Sequence, residues 1–186
     1  MSELMRALHT DHAHLNRLLQ VLEGQTRALR RGEDPDWDRI IDILDYMIQY
    51  PDAIHHPREE RLFEKALERA GESGVAETIH KLSAEHETLP KRTLALRKLV
   101  DDVRDDAAIL TREEVSERIE DYIRRQRQHI VTEETSLFPL IENLLAPEDW
   151  EALQSVPVEI HDPVFGPVAS EQFARLIEEL SSEQDP

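Results

Sequence analysis

Two short stretches, HHPREE at residues 55–60 and HIVTEE at residues 129–134, share one pattern. In each, a histidine is followed four residues later by a glutamate, with a second glutamate directly behind it. Residues i and i+4 lie on one face of a helix, so each stretch can direct an imidazole and a carboxylate to the same point. A single pair of this kind is usually a surface ion pair. Two copies in one chain need a common explanation.

The explanation is an internal repeat. LHTDHAHL at residues 8–15 aligns with LSAEHETL at residues 82–89, a shift of 74 positions. The same shift places His55 on His129 and Glu59 on Glu133, whereas His56 falls on Ile130. The chain therefore resolves into two helical hairpins, each with one histidine on its first helix and His-x-x-x-Glu on its second. The repeat selects six candidate metal ligands: His12, His55, Glu59, His86, His129 and Glu133.

Apolar periodicity and capping residues predict four long helices. They cover about residues 2–31, 34–70, 74–103 and 111–145. Asp34 is a plausible N-cap of the second helix, and Thr111 with Glu114 fits a capping box at the start of the fourth. Pro90 predicts a kink or break in the third helix, and Pro57 predicts a kink in the second that aims His55 inward.

Four such helices with short connections favour an all-α, up-down-up-down four-helix bundle over residues 1–146. Residues 147–186 differ in kind, because a Pro-rich loop is followed by a last amphipathic helix. We predict that this segment is a short C-terminal helical appendage packed on the bundle.

Composition restricts the chemistry available to the chain. It has no cysteine, which excludes thiolate ligands, iron–sulfur clusters and cysteine nucleophiles. A formal net charge of −18 argues against nucleic acid and anionic membrane surfaces as partners. The N-terminus shows no signal-peptide core, and no segment approaches the roughly 18 apolar residues of a membrane span, so the expected location is the cytoplasm.

Histidines and glutamates directed inward from facing helices are typical of a dinuclear metal centre in a bundle. Imidazole suits Fe, Zn, Cu and Ni, and carboxylates shift the preference towards Fe or Mn. Two iron ions are the best prediction, with Mn or Zn possible. Burial of these six side chains without a metal ion would be costly.

The same residues resemble the hemerythrin-like, or HHE cation-binding, domain family. TDHAHL, YPDAIHHPREERLF, SAEHETL and RQHIVTEETSLFPLI carry the resemblance, which covers about residues 4–145, and a tail containing DPVFG is similar to one in bacterial members. The resemblance implies an up-down four-helix bundle with an oxo- or hydroxo-bridged non-haem di-iron centre. It also implies that the six selected side chains are the ligands, with Glu59 and Glu133 as the bridging carboxylates.

Two departures leave alternatives open. Oxygen carriers of the family use the carboxylate five residues after the last histidine, so Glu134 is an alternative to Glu133. They also have a second histidine where this chain has Pro90, so the site is one imidazole short. In this respect it is closer to bacterial iron-centre repair proteins and the animal F-box iron sensor. His9 could be a fifth ligand or a supporting donor.

The remaining candidates are supporting residues. His56 is expected to support the site or to lie at its rim, because it is offset by about 100° from His55 along a helix. Glu60 is expected to support the site, and both residues stay alternative candidate ligands. His14 is expected to be exposed, and His80 is expected to face elsewhere. His161 would reach it only if the tail folds over the bundle.

The function expected is a di-iron protein that binds or reacts with oxygen, nitric oxide or hydrogen peroxide in sensing, storage or stress protection. The first alternative is an iron-handling, repair or peroxide-decomposing enzyme. The second is a metal-free acidic helical adaptor. The sequence leaves enzymatic turnover open and is compatible with a monomer or a homodimer.

Overall fold

Four long helices form the body of the molecule. The computed structural model describes residues 2–71, 74–154, 161–168 and 170–182. The helices in these ranges are α1 (Glu3–Arg30), α2 (Trp37–Gln49), α3 (His56–Ala70), α4 (Gly74–Arg104), α5 (Arg112–Thr132), α6 (Phe138–Leu144), α7 (Pro147–Gln154) and α8 (Ala174–Ser182). The described ranges contain no strand. The predicted all-α bundle with a short C-terminal helix is confirmed: α1, α2 with α3, α4, and α5 with α6 are its four members.

Among the described residues, no helix combines the length and the apolar character needed to cross a bilayer.

The helix starts follow capping chemistry, with one correction. Thr111 and Glu114 form the predicted capping box. Asp34 is not the N-cap of the second helix, which begins two residues later than predicted: Asp36 accepts a hydrogen bond from the backbone N–H of Arg39 at 3.0 Å. The Asp34 carboxylate instead accepts from Arg112. Asp34 and Asp36 both carry a carboxylate that could cap this helix, and the backbone conformation of the segment decides in favour of Asp36.

Two π-helical turns interrupt the second and fourth members of the bundle, at Pro51–His55 and Glu133–Leu137. The first closes with a hydrogen bond from the backbone N–H of His56 to the carbonyl of Pro51. Pro57 follows in the first turn of α3, where its missing N–H costs little. The irregular backbone predicted at Pro57 therefore lies just upstream of it, as the π-helical turn at Pro51–His55. Such turns are frequent at functional sites.

Pro90 does not break the third member of the bundle. Helix α4 continues from Gly74 to Arg104 with Pro90 inside it, so of the two predicted outcomes the break is wrong and the kink stays a prediction. Proline removes one backbone hydrogen bond and crowds the carbonyl one turn before it, which belongs to His86. Burial of Leu82, Leu89 and Leu96 along the same helix holds it together on both sides of the proline.

The apolar core has two parts separated by a polar layer. Along α1, Leu8 belongs to one cluster and Leu15 to the other, with buried His12 between them. Along α4, Leu82 and Leu96 divide in the same way. The histidine layer therefore lies in the middle of the bundle, enclosed at both ends.

The C-terminal elements pack on this body. Val164, Phe173, Leu176 and Leu180 are buried in the larger core cluster. Part of the predicted Pro-rich loop, residues 155–160, lies outside the described residues.

Candidate metal centre

Two imidazoles from the first hairpin meet two glutamates at one point, here called position 1. The Nε2 atoms of His12 and His55 each lie 3.3 Å from Oε1 of Glu59. His12 Nε2 also lies 3.3 Å from Oε2 of Glu133. The first π turn ends at His55 and the second begins at Glu133, so both irregular turns adjoin this point.

The second hairpin builds a matching point, position 2, from the same two glutamates. His86 Nε2 lies 3.3 Å from Oε2 of Glu59 and 3.4 Å from Oε1 of Glu133. His129 Nε2 lies 3.2 Å from Oε1 of Glu133. Each glutamate thus directs one oxygen to each position, as a carboxylate that bridges two cations does. The structure brings together all six side chains that the repeat selects.

The oxygens at these two positions lack hydrogen-bond partners. Both carboxylate oxygens of Glu59, both of Glu133, and Nε2 of His12 are buried and accept or donate no hydrogen bond with acceptable geometry. A buried charged group left in this state costs at least a few kcal/mol. Cations bound between the imidazoles and carboxylates would satisfy all of these atoms at once. The donor set of imidazole and carboxylate, without thiolate, fits iron.

The pKa values of the buried glutamates and histidines reflect how closely these side chains lie to one another. Burial would raise the pKa of Glu59, but the surrounding imidazoles of His55, His12 and His86 hold it well below its usual range. Burial would lower the pKa of His86, but carboxylates led by Glu133 raise it to about 11. For His129 the balance is the same, and its pKa is raised to about 9. Without metal, the raised pKa values of His86 and His129 favour protonated imidazoles next to the carboxylates.

A second layer of carboxylates supports the imidazoles from behind. Each of the four histidines that the repeat selects has its Nδ1 atom next to a carboxylate oxygen. The pairs are Glu134–His12 at 2.6 Å, Asp11–His55 at 3.1 Å, Glu60–His86 at 2.6 Å and Glu85–His129 at 2.9 Å. Such partners fix the tautomer and ring orientation of metal-bound histidines. The 74-residue shift relates Asp11 to Glu85 and Glu60 to Glu134, so the repeat extends to this layer.

This layer decides where Glu134 and His9 lie. Glu133, and not Glu134, lies between positions 1 and 2. The two oxygens of Glu134 are taken by Nδ1 of His12 and by Nδ1 of His9, at 2.6 and 2.7 Å. His9 therefore supports the layer from outside and does not reach position 1. Its counterpart in the repeat, Ser83, donates to Glu60 at 2.9 Å.

His56 lies deeper than the sequence predicts. Instead of sitting at the rim, its ring is buried and stacks on His86 with centroids 4.3 Å apart. Ligand atoms of His56, Glu59, His86 and His129 all lie within 4.8 Å of one another. Burial and neighbouring imidazoles lower the pKa of His56 well below its usual value, which keeps the ring neutral. The structure thus places a third imidazole at position 2.

The offset of about 100° between His55 and His56 excludes a shared ligand point but not two separate ones. Positions 1 and 2 lie side by side, so adjacent residues on one helix can reach different positions. His55 faces His12, with ring centroids 4.9 Å apart, while His56 faces His86. The available signal was the mismatch in the repeat, where the counterpart of His56 is Ile130.

The other histidines stay outside the two positions. His80 and His161 are exposed. His14, predicted to be exposed, is instead partly covered by Phe165, whose ring stacks on it with centroids 4.0 Å apart. The sequence did not predict that the C-terminal segment covers His14.

Comparison with known proteins agrees with this geometry. A search among curated proteins found no match to the chain. Residues 4–141, well over half of the chain, match the hemerythrin HHE cation binding domain. This range includes all the side chains of positions 1 and 2. On that match, the chain belongs to the hemerythrin HHE cation-binding domain family.

Proposed function

We propose that this protein holds two iron ions, one at position 1 and one at position 2, bridged by Glu59 and Glu133. The observation that carries the proposal is the set of four buried carboxylate oxygens without hydrogen-bond partners, two directed to each position. Family membership supports cation binding at these residues. Manganese or zinc would accept the same donors.

We further propose that position 1 is where a small diatomic molecule or peroxide binds or reacts. Iron, when bound, supplies reversible redox and ligand-binding chemistry. Position 1 receives two imidazoles, His12 and His55, whereas position 2 receives His56, His86 and His129. The position with fewer protein donors is the one that leaves room for an exogenous ligand.

The walls of the centre favour a small ligand. Phe138 stacks on His12 at 5.5 Å between ring centroids, and Phe63 stacks on His86 at 5.7 Å. Both phenylalanines are almost fully buried. These apolar rings hold the imidazoles in place and keep bulk water and larger molecules away from the two positions. Oxygen, nitric oxide and hydrogen peroxide fit this restriction, in a role in sensing, storage or stress protection.

Enzymatic turnover of peroxide is the second candidate, and the outer carboxylates favour it. Glu60, Glu85 and Glu134 each contact a histidine of the centre, yet their side chains are 36%, 35% and 28% exposed. They connect buried imidazoles to solvent, as proton transfer during repeated turnover requires. Peroxide consumption per bound iron, with His129→Ala as the control, separates turnover from binding. No consumption above that control would remove the enzyme candidate.

Metal analysis with an absorption spectrum tests the proposal. We expect two iron ions per chain and near-ultraviolet charge-transfer absorption that changes on exposure to oxygen, nitric oxide or peroxide. We also expect chelators to lower the melting temperature, because the buried ligands lose their cations. Protein that takes up no iron, with a melting temperature indifferent to chelators, would instead support the metal-free adaptor.

A further inference from the structure

The loop at residues 161–168, here called the C-terminal strap, is a tight preformed turn. Its Asp162 carboxylate accepts hydrogen bonds from the backbone N–H groups of Val164 and Phe165, at 2.8 and 2.9 Å. The N–H of Gly166 donates to the backbone carbonyl of Asp162 at 2.9 Å. A Cβ at position 166 would lie 2.3 Å from that oxygen, so only glycine permits the turn. The sequence DPVFG is therefore built for this shape.

The strap is anchored on α1 and α2 beside position 1. The fully buried Tyr46 donates its hydroxyl hydrogen bond to Asp162 at 2.8 Å. Phe165 stacks on His14 of α1, and Val164 enters the main core. Asp162, although charged, has a side chain only 8% exposed. A buried carboxylate paired with a buried tyrosine holds the strap in one place.

A chain of contacts leads from the strap to a histidine of position 1. The rings of Tyr46 and Tyr50 stack at 5.8 Å between centroids. Tyr50 donates its hydroxyl hydrogen bond to Oδ1 of Asp11 at 3.1 Å. Oδ2 of Asp11 lies 3.1 Å from Nδ1 of His55. Arg58 adds a donor to the Tyr50 hydroxyl at 3.2 Å.

The second hairpin has no equivalent of this chain of contacts in the described ranges. Glu85, the counterpart of Asp11, has a side chain 35% exposed, against 8% for Asp11. The 74-residue shift carries Tyr46 to Glu120 and Tyr50 to Arg124, so the second hairpin has no tyrosine at the matched positions. Asp11 and Glu85 are matched carboxylates behind the matched histidines His55 and His129. Only Asp11 is connected to the C-terminal strap.

We propose that Asp162, Tyr46 and Tyr50 are positioning residues for position 1. They hold Asp11, and through it His55, in the orientation that retains the cation at the position with fewer imidazoles. This inference rests on the proposed dinuclear centre. It assigns the C-terminal strap to one metal position, whereas the proposed function concerns both.

Stepwise cobalt(II) titration of the metal-free protein tests the assignment. Asp11→Asn and Glu85→Gln first identify which binding step belongs to position 1 and which to position 2. Tyr50→Phe then removes one hydroxyl group and keeps the ring, and Asp162→Ala releases the strap. Loss of such supporting partners weakens metal binding about 10- to 100-fold. Asp11→Asn identifies the binding step of position 1. We expect Tyr50→Phe and Asp162→Ala each to weaken that step by about tenfold and to leave the other step unchanged.

A matched control and a double variant exclude a merely structural effect. Asp149 is also a buried C-terminal carboxylate, but it pairs with Arg69 and caps the backbone of Ala146, so Asp149→Asn should leave both steps unchanged. Tyr50→Phe should add nothing in the Asp11→Asn background, because it acts through Asp11. If Asp162→Ala fails to fold, Tyr50→Phe decides.

Two outcomes would overturn the inference and keep the dinuclear centre. The first is two cobalt ions bound by Tyr50→Phe with wild-type affinities. The second is a third ion in the wild type, held by Asp11, His14 and Asp162 and lost alone in Asp162→Ala; these three side chains have ligand atoms within 4.8 Å of one another. Wild-type protein that binds no cobalt would overturn the proposed function itself, and the inference with it.

Discussion

The two hairpins of this molecule, α1 to α3 and α4 to α6, share one repeated set of side chains in the centre and differ in His56 and in what surrounds the centre. Each provides two histidines, one bridging glutamate and two supporting carboxylates, all related by a shift of 74 residues. The first hairpin alone adds His56, which joins the second hairpin's position. It alone also carries Tyr46, which donates to Asp162 of the C-terminal strap, and Tyr50, which donates to Asp11.

The repeated and the unrepeated features have separate consequences. The repeated residues supply what two cations between four helices require: donor atoms, bridging carboxylates and partners for the outer nitrogens of the imidazoles. The unrepeated residues make the two positions unequal, with three imidazoles at position 2 and the C-terminal strap behind position 1.

Removal of a shared bridge should have the largest effect. Glu59→Ala is expected to abolish metal retention at both positions, because both use this carboxylate. In the metal-free state it also removes the buried carboxylate that lies 3.3 Å from the imidazoles of His12, His55 and His86, which should cost about 3–5 kcal/mol of stability. Metal analysis and denaturant unfolding measure the two effects. Glu60→Ala is the comparison, since Glu60 contacts only His86 at position 2; two tightly bound ions in Glu59→Ala would refute the bridging role.

The two metal states should respond oppositely to pH. The folded pKa values of His129 and His86 are raised to about 9 and about 11. A raised pKa contributes stability that is complete below the unfolded value, near 6.5, and is lost as pH rises through the folded value. For His129 the loss is roughly 3 kcal/mol. The lowered pKa of Glu59 works in the other direction, because its contribution is lost as pH falls.

Metal-free protein should therefore unfold at lower denaturant concentration at pH 10 than at pH 6. Metal affinity should instead increase with pH over the same range, because the imidazoles must lose their protons to bind. Unfolding curves with and without iron or zinc compare the two. Equal pH slopes in both states would show that the cluster carries no exchangeable protons.

The unshared imidazole should matter for one position only. His56→Ala is expected to weaken metal binding at position 2 by at least about tenfold and to spare position 1, by analogy with loss of a supporting group. Ile130→Ala is the control at the matched site of the repeat. It should destabilise the fold by about 2–4 kcal/mol through a cavity, with metal affinity preserved. Equal affinity losses at both positions in His56→Ala would contradict the assignment.

The outermost difference should have the smallest effect. His9→Ser copies Ser83 of the other half, where a hydroxyl supports the outer carboxylate. Glu134 keeps its contact with His12, so we expect a change within about 0.5 kcal/mol in stability and less than threefold in metal affinity. A larger loss at position 1, measured by the same titration, would move His9 into the centre.

The features that both hairpins share could be predicted from the sequence, whereas the features of one hairpin alone could not, for a physical reason. A repeat reports what both halves need, so it identified His12, Glu59 and their counterparts without any structure. His56 was misplaced because helical angles assume one target, whereas two cations offer two. The continuity of α4 through Pro90 could not be predicted, because packing on both sides outweighs one lost hydrogen bond. The partner of Asp162 is 116 residues away in sequence and has no local signature.

Mössbauer spectroscopy of protein loaded with iron-57 determines whether the centre has two unequal metal positions. We expect two iron ions per chain, in two distinct environments of equal area. His56→Ala should alter one of these environments and preserve the other. A single environment at two ions per chain would contradict the inequality, and fewer than one tightly bound ion per chain would contradict the centre itself.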